Sequence, residues 1–119
     1  MIDFFLSEEQ KMIRDMVRDF TANEIAPIAA ELDEKGEFPA EIIAKMGALG
    51  LMGVPFPEEY GGAGMDYVRY ATAIYEIARV CASTAITVAA HTSLGMTPIY
   101  LVGSEKQNGN TYLPSLPGK

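Results

Sequence analysis

The amino-acid sequence predicts an all-α fold. Apolar residues recur every three or four positions along most of the 119 residues, as they do on the buried face of a helix. No segment shows the alternation of apolar and polar residues that is typical of a half-buried strand. The length suffices for one hydrophobic core, so we expect residues 1–119 to form a single helical domain of about six helices, with the Pro-containing residues 113–119 as an exit linker.

The first helix is predicted to begin after Ser7. Ser7-Glu-Glu-Gln10 has the spacing of a capping box, in which two backbone N–H groups at the helix start are satisfied. The two glutamates also fall in the first turn, where the helix dipole favours negative charge. The residues that follow at helical spacing are predicted to form the buried face, and these are Met12, Ile13, Met16, Val17 and Phe20.

Two shorter helices are expected next. Asn23 is a candidate N-cap for the second helix, with Pro27 in its first turn and Gly36 at its end. Pro39 is predicted to start the third helix and Gly50 to cap its C-terminus. The buried face of the third helix is expected to carry Ile42, Ile43, Met46 and Leu49.

A loop is predicted over residues 53–64, where six of twelve residues are Gly or Pro. Gly61-Gly-Ala-Gly64 lacks the GxGxxG spacing of a phosphate loop and follows no predicted strand, which favours a tight turn with positive φ. Asp66 is predicted to cap the fourth helix, and Glu76 to lie on its surface, paired with Arg79. The apolar face of this helix is expected to carry Tyr67, Tyr70, Ala71, Ile74, Ile77, Ala78 and Cys81.

The segment of residues 80–104 carries no formal charge and is long enough to span a bilayer. Seven of its residues are Ser or Thr, whereas a membrane span consists mostly of large apolar residues, so we predict no span. We expect instead a central, buried fifth helix at about residues 83–94 that ends at Gly95, followed by a short sixth helix from Thr97. Ser104-Glu-Lys-Gln107 again has capping-box spacing.

The charge balance narrows the possible partners and the compartment. Sixteen Asp and Glu face nine Lys and Arg, and the resulting net charge of −7 disfavours a nucleic-acid partner, which needs a basic surface. A single cysteine, Cys81, excludes an intrachain disulfide and favours a reducing compartment. The N-terminus lacks the basic region of a secretory signal, so we expect a cytoplasmic protein.

The residue types present do not form a catalytic set. His91 is the one histidine, which excludes a histidine-rich metal site and leaves a single possible partner for a Ser or Cys nucleophile. Thr92 and Ser93 adjoin it, but neighbouring residues of a helix point in different directions. We therefore predict no catalytic, cofactor-binding or metal-binding residue in this chain.

Six segments carry a resemblance to a known family. They are Leu6-Ser-Glu-Glu-Gln10, Glu24-Ile-Ala-Pro27, Met46-Gly-Ala-Leu-Gly-Leu51, Pro57-Glu-Glu-Tyr-Gly-Gly-Ala-Gly64, Ser93-Leu-Gly95 and Gly103-Ser-Glu-Lys-Gln107 with Tyr112-Leu-Pro114. In this order, over residues 2–116, they resemble the N-terminal domain of acyl-CoA dehydrogenases of the short-chain or butyryl type. Asn108-Gly-Asn110 departs from the charged, continuous helix that the family has there.

The resemblance implies a helical, up-and-down bundle-like domain that is the first of three in a subunit. The implied cofactor is FAD, held mainly by the other two domains, and the implied reaction is the α,β-dehydrogenation of an acyl-CoA in fatty acid β-oxidation. An electron-transferring flavoprotein accepts the electrons, and the family forms homo-tetramers. The catalytic glutamate belongs to the third domain, so we expect this chain alone to be inactive and to bind no FAD tightly.

The resemblance also implies a substrate-binding wall on the helix before Ser93. The matching positions are Ile86, Thr87, Ala90, His91 and Leu94. Thr87, Ala90 and Leu94 share one helix face, which suits an alkyl chain but equally suits ordinary helix packing. Two alternatives stay open: a stand-alone helical binding or interaction module, and a chain that dimerises through its exposed apolar surface.

Overall fold

The computed structural model describes residues 6–107, and every regular element in this range is helical, which confirms the all-α prediction for that part of the chain. The predicted exit linker and Asn108-Gly-Asn110 lie outside the described residues. In chain order the helices are α1 (Glu8–Phe20, continued by a π-helical turn, Thr21–Ile25), α2 (Ala29–Lys35), α3 (Ala40–Ala48), a 3₁₀ turn (Glu58–Tyr60), α4 (Tyr67–Ala78), α5 (Ala82–Val102) and α6 (Glu105–Gln107).

Side chains cap the helices where the sequence predicts it. Ser7 Oγ accepts a hydrogen bond from the Gln10 N–H at 3.2 Å, and Gln10 Oε1 accepts one from the Ser7 N–H at 2.9 Å, which completes the capping box of α1. Asp66 caps α4 by accepting a hydrogen bond from the Arg69 N–H at 2.7 Å. After α3, Gly50 adopts the left-handed conformation with φ of 81°, as a glycine C-cap requires.

The start of α2 differs from the prediction. Asn23 lies inside the π-helical turn that continues α1, so it caps no helix. Pro27 has no N–H, so it cannot donate a backbone hydrogen bond to the preceding turn. The Ile28 N–H instead bonds back to the Ile25 carbonyl at 3.1 Å, and α2 begins only at Ala29.

Helix α5 continues through the predicted boundary between the fifth and the sixth helix. It is α-helical over Ala82–Ala89, π-helical over Ala90–Met96 and α-helical again over Thr97–Val102, so the predicted end at Gly95 is wrong. In a π-helical turn each carbonyl bonds to the N–H five residues further on. The Thr92 carbonyl accepts the Thr97 N–H in this way and also accepts the Thr97 hydroxyl at 2.9 Å, which carries the helix across the glycine.

The environment of α5 is also less buried than predicted. Its length and a mean hydropathy of 1.3 would by themselves suit a membrane span, a test that core helices of soluble proteins also pass. In this chain 22% of its most apolar window is buried, so the expected burial on all sides is wrong. The absence of a membrane span stays a prediction, and the exposed side of α5 needs another explanation.

The hydrophobic core lies where α1 packs along α4 and α4 packs along α5. Ile13 and Val17, four residues apart on α1, point into it together with Met46 of α3 and are buried as predicted. Met12 is 71% exposed, and the prediction that it is a core residue is wrong, because the seam with α4 runs along Ile13 and Val17 and leaves Met12 at its edge. Leu49 and Tyr67, also predicted to face inward, are likewise exposed.

Candidate functional site

Helix α5 has two different faces. Thr84, Ala85, Val88 and Thr92 are buried against the rest of the domain. On the opposite side the side chains of Ile86 and Leu94 are 67% and 78% exposed. A shallow depression of about 240 Å³ lies between them, and its lining residues are Ile86, Ala89, Ala90, Ser93 and Leu94. The depression is mostly apolar, as a site for an alkyl chain would be.

Three of the five predicted wall residues line this depression. Ile86, Ala90 and Leu94 follow each other at intervals of four and come together on one face. Thr87 is half-buried, and its hydroxyl donates to the Ser83 carbonyl of the preceding turn at 2.9 Å, so the hydroxyl is engaged within the helix. His91 is half-buried and does not line the depression.

The depression includes two residues that sequence reasoning missed, Ala89 and Ser93. Both are in contact with Tyr70 of α4, whose hydroxyl lies 2.9 Å from Ser93 Oγ and 3.4 Å from the Ala89 carbonyl. On the buried side, Thr92 Oγ1 donates to the Met52 carbonyl at 3.3 Å. The π-helical part of α5 is therefore held by neighbouring segments on both sides.

The family is decided by a comparison with family models. The model described as "Acyl-CoA dehydrogenase, N-terminal domain" matches residues 7–117. The chain belongs to the acyl-CoA dehydrogenase family. It is 46% identical over 118 residues to the short-chain specific acyl-CoA dehydrogenase of Clostridium acetobutylicum, covering 99% of this chain and 31% of that protein. The chain spans about a third of the length of the curated relatives that it matches first.

Solved structures agree with this assignment. A chain in the structure described as the electron transferring flavoprotein of Acidaminococcus fermentans has a TM-score of 0.92 and 41% identity, over 98% of this chain and 31% of that one. Butyryl-CoA dehydrogenase from Megasphaera elsdenii has a TM-score of 0.89 and 35% identity over the same shares. Acyl-CoA dehydrogenase from Bacillus anthracis, complexed with FAD, has a TM-score of 0.86 and 39% identity over 98% of this chain and 20% of that one.

The Pro-Glu-Glu-Tyr-Gly-Gly segment of this acyl-CoA dehydrogenase domain has a structural role. The N–H groups of residues 61–65 all donate to carbonyls of residues 53–58, so none of them is available to a phosphate, and the tight-turn interpretation is confirmed. A Cβ on Gly62 would lie 2.3 Å from the Phe56 carbonyl oxygen, which explains the glycine there. The Tyr60 and Tyr100 rings meet edge to face at 6.3 Å, and this contact fixes the loop to the end of α5.

The domain also holds an ion cluster that the sequence did not reveal. Glu76 is 2% exposed, so its predicted surface position is wrong, although its predicted pairing with Arg79 is confirmed at 3.0 Å. Arg18 of α1 binds the same carboxylate with two hydrogen bonds, from Nε at 3.2 Å and from Nη2 at 2.9 Å. Burial raises the pKa of Glu76, but the hydrogen bonds and charges of Arg18 and then Arg79 outweigh it and hold the pKa below its ordinary value.

A helical wheel could have revealed this cluster. Thr72, Ala73, Glu76 and Ile77 are the buried residues of α4, and they are related by steps of three and four. Glu76 therefore belongs to the inward face, and its carboxylate needs cationic partners there. Those partners join α1 to α4, which makes the cluster a link between helices rather than an acid–base pair.

The arginines and the glycine-rich loop of the described residues are engaged within the domain. An anionic group such as a pyrophosphate binds to cations or to unengaged N–H groups. Four arginines, at positions 14, 18, 69 and 79, each lie within 3.0 Å of a carboxylate oxygen. The N–H groups of the glycine-rich loop are engaged as well. Residues 6–107 also contain no group of three His, Cys, Asp or Glu side chains that could hold a metal ion.

Proposed function

We propose that this domain forms the wall of the acyl pocket in a short-chain acyl-CoA dehydrogenase. The observation that carries the proposal is the exposed apolar depression between Ile86 and Leu94, on a helix whose other face is buried. The domain spans about a third of its relatives' length, so the other parts of a complete subunit could cover this exposed apolar surface. Thr87 and His91 would stand at the edges of the wall and Ala90 at its floor.

The wall would act through exclusion of water. Each CH₂ group that moves from water into apolar surroundings contributes about 0.8 kcal/mol, so a butyryl tail of three carbons would gain roughly 2 kcal/mol. The small side chains of Ala89 and Ala90 leave the room for that tail, and Ile86 and Leu94 flank it. The domain thus binds and orients the alkyl chain of an acyl-CoA, and the groups that react with its α and β carbons belong to other parts of the subunit.

The rest of the reaction is assigned to parts outside this chain. We propose FAD as the cofactor, which takes up hydride from the acyl chain, because a structural neighbour of this fold is described as complexed with FAD. An electron-transferring flavoprotein is the proposed electron acceptor, the complete enzyme is proposed to be a homo-oligomer, and it is proposed to work in the cytoplasm in fatty acid β-oxidation. The chain alone is proposed to be inactive.

A chimaera tests the pocket proposal. Residues 1–119 would replace the matching third of the Clostridium acetobutylicum short-chain specific enzyme, to which they are 46% identical. Ala90→Leu adds three carbons to the floor of the depression, and overpacking of this kind costs about 1–3 kcal/mol. We expect the KM for butyryl-CoA to rise about tenfold or more, while the matched control Ala44→Leu, on the exposed side of α3, leaves it unchanged. An unchanged KM in Ala90→Leu would contradict the proposal.

The isolated chain provides a second test. We expect purified residues 1–119 to show no stoichiometric flavin absorption band and no butyryl-CoA oxidation. A flavin band would overturn the assignment of FAD to other parts. Titration with butyryl-CoA then separates the alternatives: saturable binding without flavin favours a stand-alone binding module, and no binding favours a domain that works only within the complete subunit.

A further inference from the structure

We infer that Tyr70 is a positioning residue that holds the acyl wall of α5 in its π-helical shape. The inference rests on the proposed pocket function of that wall. Tyr70 belongs to α4 and does not line the depression, but its hydroxyl lies within hydrogen-bond distance of two residues that do, Ala89 and Ser93.

The Tyr70 hydroxyl joins two residues of the wall. It lies 3.4 Å from the Ala89 carbonyl, to which it can only donate. It also lies 2.9 Å from Ser93 Oγ, and in this hydrogen bond either oxygen can be the donor. The ring is half-buried and meets Tyr67 edge to face at 6.3 Å, so its orientation is fixed by packing as well.

Tyr70 contacts α5 at the point where the helix changes from α-helical to π-helical pairing. Ala89 is the last residue of the α-helical part, and the π-helical part starts at Ala90. In a regular α-helix the carbonyl of Ala89 would accept the N–H of Ser93, whereas π-helical pairing moves the bonds one residue further on. Tyr70 supplies a side-chain donor at the junction where the backbone pairing changes.

The far end of the π-helical part is held by similar means. The Thr92 carbonyl accepts both the N–H and the hydroxyl of Thr97, the latter at 2.9 Å. If the wide turns relaxed to a regular α-helix, the side chains after the junction would rotate by roughly 100° relative to those before it. The lining residues, at positions 86, 89, 90, 93 and 94, would stay on one face, because they have the i, i+3, i+4, i+7, i+8 spacing of a regular helix, but Leu94 would rotate relative to Ile86. Tyr70 thus sets how the end of the wall is oriented relative to its start.

The experiment compares Tyr70→Phe and Ser93→Ala, which each remove one partner of the same hydrogen bond. Tyr67→Phe is the matched control, because Tyr67 is exposed and removing its hydroxyl leaves the Tyr70 contact intact. In the chimaera we expect either substitution to raise the KM for butyryl-CoA about fivefold with kcat within twofold, the effect of one neutral hydrogen bond. The double variant should show no larger effect than Tyr70→Phe alone.

Amide hydrogen exchange in the chain itself gives a readout without substrate. We expect Tyr70→Phe to accelerate exchange at residues 93–97 about fivefold and Tyr67→Phe to leave it unchanged. Unchanged exchange, an unchanged KM or additive effects in the double variant would each overturn the inference. If Ala90→Leu raises the KM and Tyr70→Phe does not, only the positioning role fails. If neither raises it, the pocket proposal itself fails.

Discussion

Replacing Glu76 with glutamine tests the buried link between α1 and α4. One carboxylate oxygen accepts from Arg18 Nη2 at 2.9 Å, and the other accepts from Arg18 Nε at 3.2 Å and Arg79 Nη1 at 3.0 Å. Glutamine keeps one acceptor oxygen and places an NH₂ group at the other position. At least one hydrogen bond from an arginine is then lost, and the NH₂ group of the glutamine, which is itself a donor, faces a guanidinium group.

The expected loss of stability follows from that geometry. A hydrogen bond to a charged group contributes about 1.5–3 kcal/mol, and leaving a buried ion partner unmatched costs up to about 5 kcal/mol. Arg18 and Arg79 have side-chain exposures of 47% and 52%, so both can turn to water, which lowers the cost. We expect a decrease of about 2 kcal/mol in the free energy of unfolding, or roughly 8 °C in Tm.

The pH dependence of this stability difference shows whether it comes from the charge of Glu76. Burial of Glu76 disfavours its charge, but Arg18 and Arg79 hold the folded-state pKa below the ordinary 4.5. The ionised carboxylate therefore stabilises the fold above pH 4.5, and this contribution is lost as the pH falls through the lower folded-state value. Urea unfolding, followed by circular dichroism at pH 7 and pH 3, measures the free energy of unfolding of the unsubstituted chain and of Glu76→Gln. Glu59→Gln, at an exposed carboxylate, is the control. A difference below about 0.5 kcal/mol at pH 7, or one that is no smaller at pH 3 than at pH 7, would refute the reasoning.

Two further predictions use the same unfolding measurement. Gly62→Ala should destabilise the fold by about 1–3 kcal/mol, because its Cβ would lie 2.3 Å from the rigid Phe56 carbonyl oxygen. The Cβ of Gly95→Ala meets only an ordinary contact at 3.7 Å, so this variant should be neutral or stabilising. Equal effects of the two substitutions would contradict this. Met46→Ala should cost about 2–5 kcal/mol because Met46 is fully buried, and Met12→Ala less than about 0.5 kcal/mol because Met12 is largely exposed; a reversed order would show that the core lies elsewhere.

Local signals in the sequence were sufficient for most helix ends. The capping box at Ser7 and the cap at Asp66 depend on residues three positions away, so both can be predicted without the tertiary structure. The continuation of α5 through Gly95 is different. Glycine favours a helix end in isolation, whereas here Thr97 bonds back to the Thr92 carbonyl across it, and Met52 and Tyr70, from distant parts of the chain, hold the helix before it.

The candidate site was predictable to a similar degree. The positions of Ile86, Ala90 and Leu94 followed from the family resemblance, and their spacing brings them to one face. Ala89 and Ser93 lie on the same face, three and seven residues after Ile86, so their spacing could have indicated them although the resemblance did not. The helical period places Glu76 on the inward face of α4, but its partner Arg18 lies 58 residues earlier in the chain, and a pairing at that distance leaves no periodic signal.

The exposed side of α5 has a consequence for biosynthesis. Because 31% of the Clostridium acetobutylicum relative matches this domain, about 260 residues of such a protein are still to be made when the domain leaves the ribosome. At about 5–20 residues per second that takes on the order of ten to fifty seconds, during which Leu94, Leu101 and Val102 face water. Exposed apolar surfaces on neighbouring nascent chains can associate in that interval. The eleven acidic residues within the first 41 give every such chain a negative end, and their mutual repulsion opposes aggregation before the proposed complete subunit is made.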